Sequence, residues 1–171
     1  MEEMHMKMMV LYHSKTGNTE KMAKVIAEGM ERVDGVAAKV CPIEEVDEEW
    51  AAESRCIVLG SPIYVSSVCA AVKDWLDGPC KKCQLAGKLG GAFATEDYVH
   101  GGGDLGIRLI LDHMMVYGMM TYSGGGAYGK PVIHLGPVAV SSRLDESVET
   151  FLTYGERMAI KAVELFGGQG N

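Results

Sequence analysis

Short apolar runs bounded by turn residues alternate along this chain with segments whose apolar residues recur at helical spacing. The first run is KMMVLYH at residues 7–13, and after it apolar residues and one glycine recur at i, i+3, i+4, i+7 and i+8 from Met22. Such runs predict buried strands, and strands alternating with helices predict right-handed βαβ units. The pattern therefore predicts an α/β fold, a doubly wound parallel sheet with helices on both faces, in one domain over residues 1–171.

The same patterns place the individual elements along the chain. Four strands are expected at residues 7–13, 36–41, 55–60 and 89–95. A fifth strand begins at 119–122, is interrupted by the glycine-rich residues 124–129, and continues at 131–135. Helices are expected at residues 18–32, 44–53, 68–76, 105–117 and 148–166. The sheet therefore has five predicted strands.

The acidic composition limits the partners that we expect. Lys plus Arg number 16 and Asp plus Glu 23, for a net charge of −7, which disfavours nucleic acid and an anionic membrane surface. No apolar run reaches the ~18 residues that cross a bilayer, and the start of the chain does not resemble a secretory signal. Five cysteines, an odd number, argue against a disulfide framework. We therefore expect a cytoplasmic protein.

The loop after the first strand has the composition of a phosphate site. Residues 14–19, SKTGNT, offer three hydroxyls, one glycine for a tight turn, and free amides at the start of a helix. Such amides bind phosphate without a buried lysine. The Walker A pattern is absent, which removes the main support for nucleoside triphosphate hydrolysis. Ser, Thr and Asn are also common helix caps, so composition alone leaves both interpretations open.

Two further loops follow strands whose carboxyl ends meet at the edge where doubly wound proteins bind ligands. In residues 60–67, GSPIYVSS, Tyr64 either stacks on a flat ligand or packs within a strand-to-helix turn. Residues 95–103, TEDYVHGGG, exceed the ~2–6 residues usual between a strand and a helix, and their amides can hydrogen-bond a planar heterocycle. Together the three loops favour a mononucleotide with a flat ring.

The ordered set of motifs resembles that of the flavodoxin-like FMN proteins. Within them it is most similar to the WrbA-like NAD(P)H:quinone oxidoreductases and the NADPH-dependent FMN reductases. The matching stretches are residues 14–19, 60–64 (GSPIY), 87–88 (GK), 91–95 (GAFAT), 100–102 (HGG) and 117–119 (YGM). The resemblance spans nearly the whole chain and implies a five-stranded flavodoxin-like sheet in the order 2-1-3-4-5.

The resemblance assigns a part of FMN to each of the three loops. It implies that the phosphate is held by Ser14, Lys15, Thr16, Gly17, Asn18 and Thr19. It implies that the isoalloxazine is flanked by Pro62, Ile63, Tyr64 and Val65. It implies that the pyrimidine edge and the ribityl side contact Thr95, Glu96, Asp97, Tyr98, Val99 and His100. No metal ligand is expected.

The implied activity is electron transfer from NADH or NADPH, through FMN, to a quinone or a similar small acceptor. His100 is the candidate proton donor beside the flavin, or else a loop residue bonded to the backbone. Two other classes stay open. One is a flavodoxin-type carrier between protein partners, which the acidic charge also suits. The other is a flavin-free interaction domain that kept the fold.

Two other motifs carry alternative interpretations. Cys80 and Cys83 form a C-x-x-C flanked by lysines, which would lower a thiol pKa. The pair is a redox disulfide, half of a zinc site, or two free thiols in an exposed loop. G-x-G-x-x-G strings at residues 101–106 and 124–129 lack the strand, helix and acidic residue of a dinucleotide fingerprint, which predicts flexible loops near the cofactor.

The helix expected at residues 105–117, LGIRLILDHMMVY, is apolar on more than one face. Either the sheet covers one side of this helix and a second subunit covers the other, or its methionines simply fill the core. We expect the first arrangement, a homo-oligomer that is a dimer or a tetramer.

Overall fold

The computed structural model describes residues 5–168, which form one sheet between two layers of helices. The strands are β1 (Met6–Tyr12), β2 (Val36–Pro42), β3 (Cys56–Tyr64), β4 (Ser67–Val68), β5 (Leu89–Glu96), β6 (Met120–Thr121) and β7 (Val138–Val140). The helices are α1 (Asn18–Met30), α2 (Glu48–Glu53), α3 (Ala70–Asp77), α4 (Gly103–Val116) and α5 (Val148–Phe166). Residues 1–4 and 169–171, which the single-domain prediction includes, lie outside the described residues.

The strand order is β2-β1-β3-β5-β6, and the neighbours along this path are parallel. This confirms the predicted doubly wound sheet in the order 2-1-3-4-5. Successive residues of β1 face opposite layers: Met8 and Val10 pack towards α1 and α5, and Met9 and Leu11 towards α3 and α4. Because the chain leaves β1 and β3 in opposite directions across the sheet, a crevice opens at their carboxyl ends.

The fifth strand is split into two short pieces beside β5. Met120 of β6 pairs with Leu89 at the start of β5, and Val138 of β7 pairs with Ala94 near its end. The prediction that the strand continues at residues 131–135 was wrong, because β7 begins only after Pro137. A proline has no amide to donate to a ladder, and Pro131 opens the predicted piece.

Two local differences from the prediction have clear physical causes. Val68 belongs to a hairpin with β3, not to the following helix, because the Cys69 amide donates to the Ser61 hydroxyl at 3.1 Å and holds the chain extended before α3. The acidic stretch at 44–53 forms a short 3-10 turn followed by α2. Asp47 begins α2 by accepting the amide of Trp50 at 2.9 Å.

Helices α1 and α5 touch through a reciprocal pair of glycines. A Cβ at Gly29 would lie 2.1 Å from the carbonyl oxygen of Leu152, and a Cβ at Gly155 would lie 2.1 Å from that of Ile26. Only glycine permits so close an approach of two backbones. The contact fixes α1 against the sheet, and the loop of residues 14–19 leads directly into α1. Among residues 5–168, no helix is long and apolar enough to cross a membrane.

The hydroxyl of Tyr154 has no hydrogen-bond partner among residues 5–168, although the side chain is fully buried. Burial raises the pKa of this phenol, and an interaction with the backbone of Ala92, too poor in geometry to count as a hydrogen bond, offsets part of the rise. An unpaired buried hydroxyl costs roughly 1–3 kcal/mol, so Tyr154→Phe should raise the free energy of unfolding by about 1 kcal/mol. Urea denaturation of the two proteins measures the difference. A loss of about 1 kcal/mol or more would show that the hydroxyl is bonded in solution.

Candidate flavin site

The loop of residues 14–19 leaves several backbone amides unpaired. Gly17 precedes α1 in the left-handed region at φ +94°, and no side chain caps the helix. The Gly17 amide donates to the Ser14 hydroxyl at 3.0 Å, and the Lys21 amide donates to the Gly17 carbonyl at 2.9 Å. Within residues 5–168, no protein acceptor takes the amides of Lys15, Thr16, Asn18 and Thr19. Four unpaired amides at a helix N-terminus form a concavity suited to an anion.

His13 adds a further polar group at the start of this loop. Its Nδ1 is paired with the carboxylate of Glu44, while its Nε2 is buried and has no protein partner in the described part of the chain. A buried polar atom of this kind normally has a partner, protein or otherwise. The sequence analysis did not single out His13, and its orphaned nitrogen together with the unpaired amides fits a bound phosphate monoester.

A pair of buried hydroxyls links the first loop to the end of β5. The Thr19 and Thr95 hydroxyls are hydrogen-bonded at 2.8 Å, and both side chains are buried. The hydroxyl of Thr19 is therefore engaged by the protein, and its amide is the group left for a ligand. Lys15 connects the first loop to the second, since its Nζ lies 5.8 Å from the ring centroid of Tyr64.

The second loop is a tight hairpin between β3 and β4. Val65 and Ser66 form its tip with φ +51° and +63°, a left-handed conformation that is rare for a β-branched residue. The Val65 side chain is 100% exposed and that of Tyr64 is 42% exposed. Ile63 points towards α4 and not towards the solvent. Its Cδ1 fills the space beside Gly106, where a Cβ would lie only 2.4 Å away. Strained residues held at an exposed tip are typical of ligand-contacting loops.

The third loop is shorter than the sequence predicted: β5 extends to Glu96 and α4 begins at Gly103, so only residues 97–102 connect them, a length within the usual range. The carboxylate of Glu96 closes this loop. This buried side chain accepts the Gly103 amide at 2.7 Å and so caps α4. Burial raises the pKa of the Glu96 carboxyl, and the bond from Gly103 partly offsets the rise. The amides of Tyr98, Val99 and His100 donate to no protein acceptor within residues 5–168. They remain available to an external acceptor such as a heterocycle.

The aromatic side chains of the third loop are paired with each other. Tyr98 and His100 stack with their ring centroids 5.7 Å apart and their planes at 6°. Both are exposed, as is Asp97, and Tyr98 and Val99 have 67% and 72% of their surface exposed. The His100 ring is therefore exposed to solvent and is positioned by stacking on Tyr98.

The fold brings the three predicted loops to one edge of the sheet, at the carboxyl ends of β1, β3 and β5. Pro62 pairs in register with Thr95, and Gly102 approaches the hairpin so closely that a Cβ would lie 2.8 Å from the Cα of Ser66. The second and third loops therefore contact each other. The sequence analysis missed Ser66 and Gly102 as the junction. The run of three glycines at residues 101–103 was the sequence signal that could have indicated a close approach, and the structure places Gly102 at φ +101°.

Two cavities in the described part of the chain are lined by residues outside these loops. One of about 290 Å³ lies between residues 122–130 and α5, where Arg157 donates to the carbonyls of Tyr128, Gly129 and Pro131. Another of about 220 Å³ is lined by Trp75 and residues 43–48. Among the described residues, no group of three or more His, Cys, Asp or Glu could hold a metal ion.

The C-x-x-C pair is buried, so the alternative of two free thiols in an exposed loop is wrong about their exposure. Cys80 and Cys83 lie on a 3-10 turn, Pro79–Cys83, and both side chains are almost completely covered. Burial raises the pKa of Cys80, and it raises the pKa of Cys83 to about 11. The flanking lysines do not compensate for this loss of hydration. All five cysteines are free and buried.

We expect this burial to be visible as pH-dependent stability. A thiol pKa raised from 9.0 to about 11 means that the unfolded chain loses the proton first as the pH rises. The contribution of Cys83 is therefore complete below pH 9 and is lost between pH 9 and 11. Urea unfolding should show a free energy of unfolding that falls over this range, and less steeply in Cys83→Ser. An equal slope in both proteins would contradict the assignment to Cys83.

The sheet is parallel and doubly wound, and its carboxyl edge carries a loop lined with unpaired amides and two further loops that touch each other. These features define the class of α/β mononucleotide-binding proteins. The comparisons then identify the family. The Flavodoxin family model matches residues 10–94. A flavodoxin of Clostridium saccharobutylicum is 40% identical over 161 residues, which cover 94% of this chain and 100% of the relative. The chain belongs to the flavodoxin family.

More distant relatives include enzymes of the same family. An NAD(P)H dehydrogenase (quinone) of Paraburkholderia phymatum is 31% identical, over 94% of this chain and 99% of the relative. The solved structure of a WrbA-like flavodoxin from Agrobacterium tumefaciens has a TM-score of 0.74 at 23% identity, and covers 92% of this chain and 97% of that one. These matches confirm the predicted resemblance and fold, and the family implies FMN as the cofactor.

Proposed function

We propose that this protein binds FMN at the three loops and carries electrons between protein partners. The observation that carries the proposal is the set of four unpaired amides at residues 15–19, arranged around the left-handed Gly17. Main-chain amides at a helix N-terminus hold a phosphate dianion without a neighbouring buried cation. When bound, FMN supplies the one- and two-electron chemistry.

The remaining parts of the site would position the flavin ring. The amides of Tyr98, Val99 and His100 point to no protein acceptor and would donate to the oxygen and nitrogen atoms of the pyrimidine edge. Tyr64 and Tyr98 are the exposed aromatic side chains of the second and third loops, and would pack on the two ring faces. The contact between Ser66 and Gly102 would keep these loops at a fixed separation.

Two observations favour the carrier over an enzyme. Beside the two tyrosines, the rim of the three-loop site carries the exposed apolar side chains of Val65 and Val99, as expected where a protein partner docks briefly beside the exposed edge of a cofactor. The net charge of −7 would steer a basic partner towards the protein. The match over the full length of a flavodoxin also supports this function.

The second candidate is an FMN-dependent NAD(P)H:quinone oxidoreductase. It is supported by the relative named NAD(P)H dehydrogenase (quinone), which matches this chain over 99% of its length. It is also supported by the exposed His100 imidazole stacked on Tyr98, which could hold a proton for a reduced acceptor.

Steady-state kinetics of the FMN-loaded protein separates the two candidates. A carrier should oxidise NADH or NADPH with a benzoquinone acceptor no faster than free FMN does, and should be reduced rapidly when a flavodoxin reductase is added. Sustained turnover that needs no reductase, and that falls in His100→Gln but not in His134→Gln, would contradict the carrier and support the enzyme. His134 is an exposed histidine in the segment between β6 and β7.

A further inference from the structure

Helix α4 has an outer face that no part of residues 5–168 covers. Its inner residues, such as Ile107, Ile110 and Met114, are buried against the sheet. On the outer face, Leu105 and Met115 are 64% and 50% exposed, and Val116 lies beside Met115 with 83% exposed. Single exposed apolar side chains are ordinary on a protein surface, so it is the arrangement of these residues along α4 that indicates a contact.

The outer residues of α4 have the spacing of a helix-pairing seam. Leu105, Arg108, Asp112 and Met115 are separated by three, four and three residues, which places all four on one stripe. Arg108 and Asp112 are exposed and ion-paired with each other, with the guanidinium Nε 2.9 Å from the carboxylate. The stripe thus has apolar residues at both ends and an opposite-charge pair in the middle.

This pattern is complementary to itself when two copies are antiparallel. With the two-fold axis at residue 110, Leu105 of one copy faces Met115 of the second, and Arg108 faces Asp112. A parallel pairing in register would place Arg108 on Arg108 and Asp112 on Asp112, which like-charge repulsion disfavours. The charges therefore select both the orientation and the register of the pair.

We propose that α4 packs against α4 of a second copy of this chain, as an antiparallel pair that closes a two-fold dimer. The apolar ends of the stripe supply the burial, and Arg108 and Asp112 form a four-residue charge network across the axis. An interface of this type uses the same patch on both subunits, so it ends at two copies. It also accounts for the exposed apolar side chains at the two ends of the outer face of α4.

Charge reversal tests the proposal on residues that lie at the protein surface and away from the three loops. Sedimentation equilibrium of the FMN-loaded protein should show a dimer at micromolar concentrations. Arg108→Asp should weaken the dimer at least ~10-fold, because it places two acids opposite each other, and the double variant Arg108→Asp/Asp112→Arg should restore it. Lys24→Asp is the control: it breaks the exposed Lys24–Glu20 pair of α1 and should leave the mass unchanged. A wild-type chain that stays monomeric at every concentration would overturn the proposal.

Cross-linking tests the orientation of the pair independently. The native cysteines are all buried, so a cysteine introduced on α4 reports its own contacts. Under mild oxidation, a mixture of Leu105→Cys and Met115→Cys proteins should give mainly disulfide-linked heterodimers. Efficient linkage of Leu105→Cys to itself would mean a parallel pair, and a dimer with no linkage in any combination would mean that another surface forms it. Either result contradicts the antiparallel seam.

Discussion

Gly155→Ala is expected to destabilise the protein by about 3 kcal/mol, because the new Cβ would lie 2.1 Å from the carbonyl oxygen of Ile26 on α1. The atom that is struck belongs to a backbone, so the clash cannot be relieved by a side-chain rotation, and α1 and α5 must separate. In a helix without such a contact, the same substitution would stabilise by about 1 kcal/mol. The sign of the change therefore reports the helix contact, and urea denaturation at neutral pH measures it.

The reciprocal glycine provides an internal check on this explanation. Gly29→Ala should destabilise by a similar amount, since its Cβ meets the Leu152 carbonyl oxygen at the same distance. The double variant should lose clearly less than the sum of the two, because helices that have already separated accommodate the second methyl group. Glu149→Ala on the exposed side of α5 is the control and should change stability by less than about 0.5 kcal/mol. Stabilisation by either glycine substitution would contradict the described packing.

Gly17→Val is expected to weaken FMN binding by about 100-fold. Gly17 has φ +94°, where a β-branched residue is strained by roughly 2–3 kcal/mol, and relief of the strain would turn the neighbouring amides away from the phosphate. No atom lies within 4 Å of the added Cβ, so the effect comes from the backbone conformation and not from a clash. Fluorescence titration of the flavin-free protein measures the dissociation constant.

A conservative variant separates this backbone effect from general damage to the fold. Gly17→Asn should retain most of the affinity, because asparagine tolerates the left-handed region better than other residues do. The flavin-free form of Gly17→Val should unfold at nearly the same urea concentration as the unmodified chain, since α1 remains intact after its first turn. Affinity within threefold of the unmodified protein in Gly17→Val would show that the loop conformation does not matter for binding.

The sequence was most informative where one local signal decides the structure. The strand at the start of the chain and the helix beginning at Asn18 follow from apolar periodicity, and α5 has the predicted bounds because its apolar face is regular over the whole of Val148–Phe166. The loop between β1 and α1 followed from its composition. Strands and helices produce a periodic pattern of apolar residues within a short stretch of sequence. Such a pattern can therefore be read directly from the sequence.

Contacts between distant parts of the chain were not predictable in the same way. The bond by which the Glu96 carboxylate caps α4 could not be predicted from the sequence, and β7 lies beside β5 only because residues 122–137 leave the sheet and return. The lysines next to Cys80 and Cys83 predicted a lowered thiol pKa, but burial of both side chains raises the pKa of each. Each of these outcomes depends on desolvation or packing that only the folded chain creates.

The measurement that tests the central claim most directly is a comparison of FMN with riboflavin in titrations of the flavin-free protein. The two ligands share the isoalloxazine and the ribityl chain and differ in the phosphate. If the amides of residues 15–19 hold that phosphate, FMN should bind at least ~100-fold more tightly than riboflavin, and Gly17→Val should reduce this ratio without changing the affinity for riboflavin. Equal affinities for the two flavins, or no binding of FMN, would contradict the account.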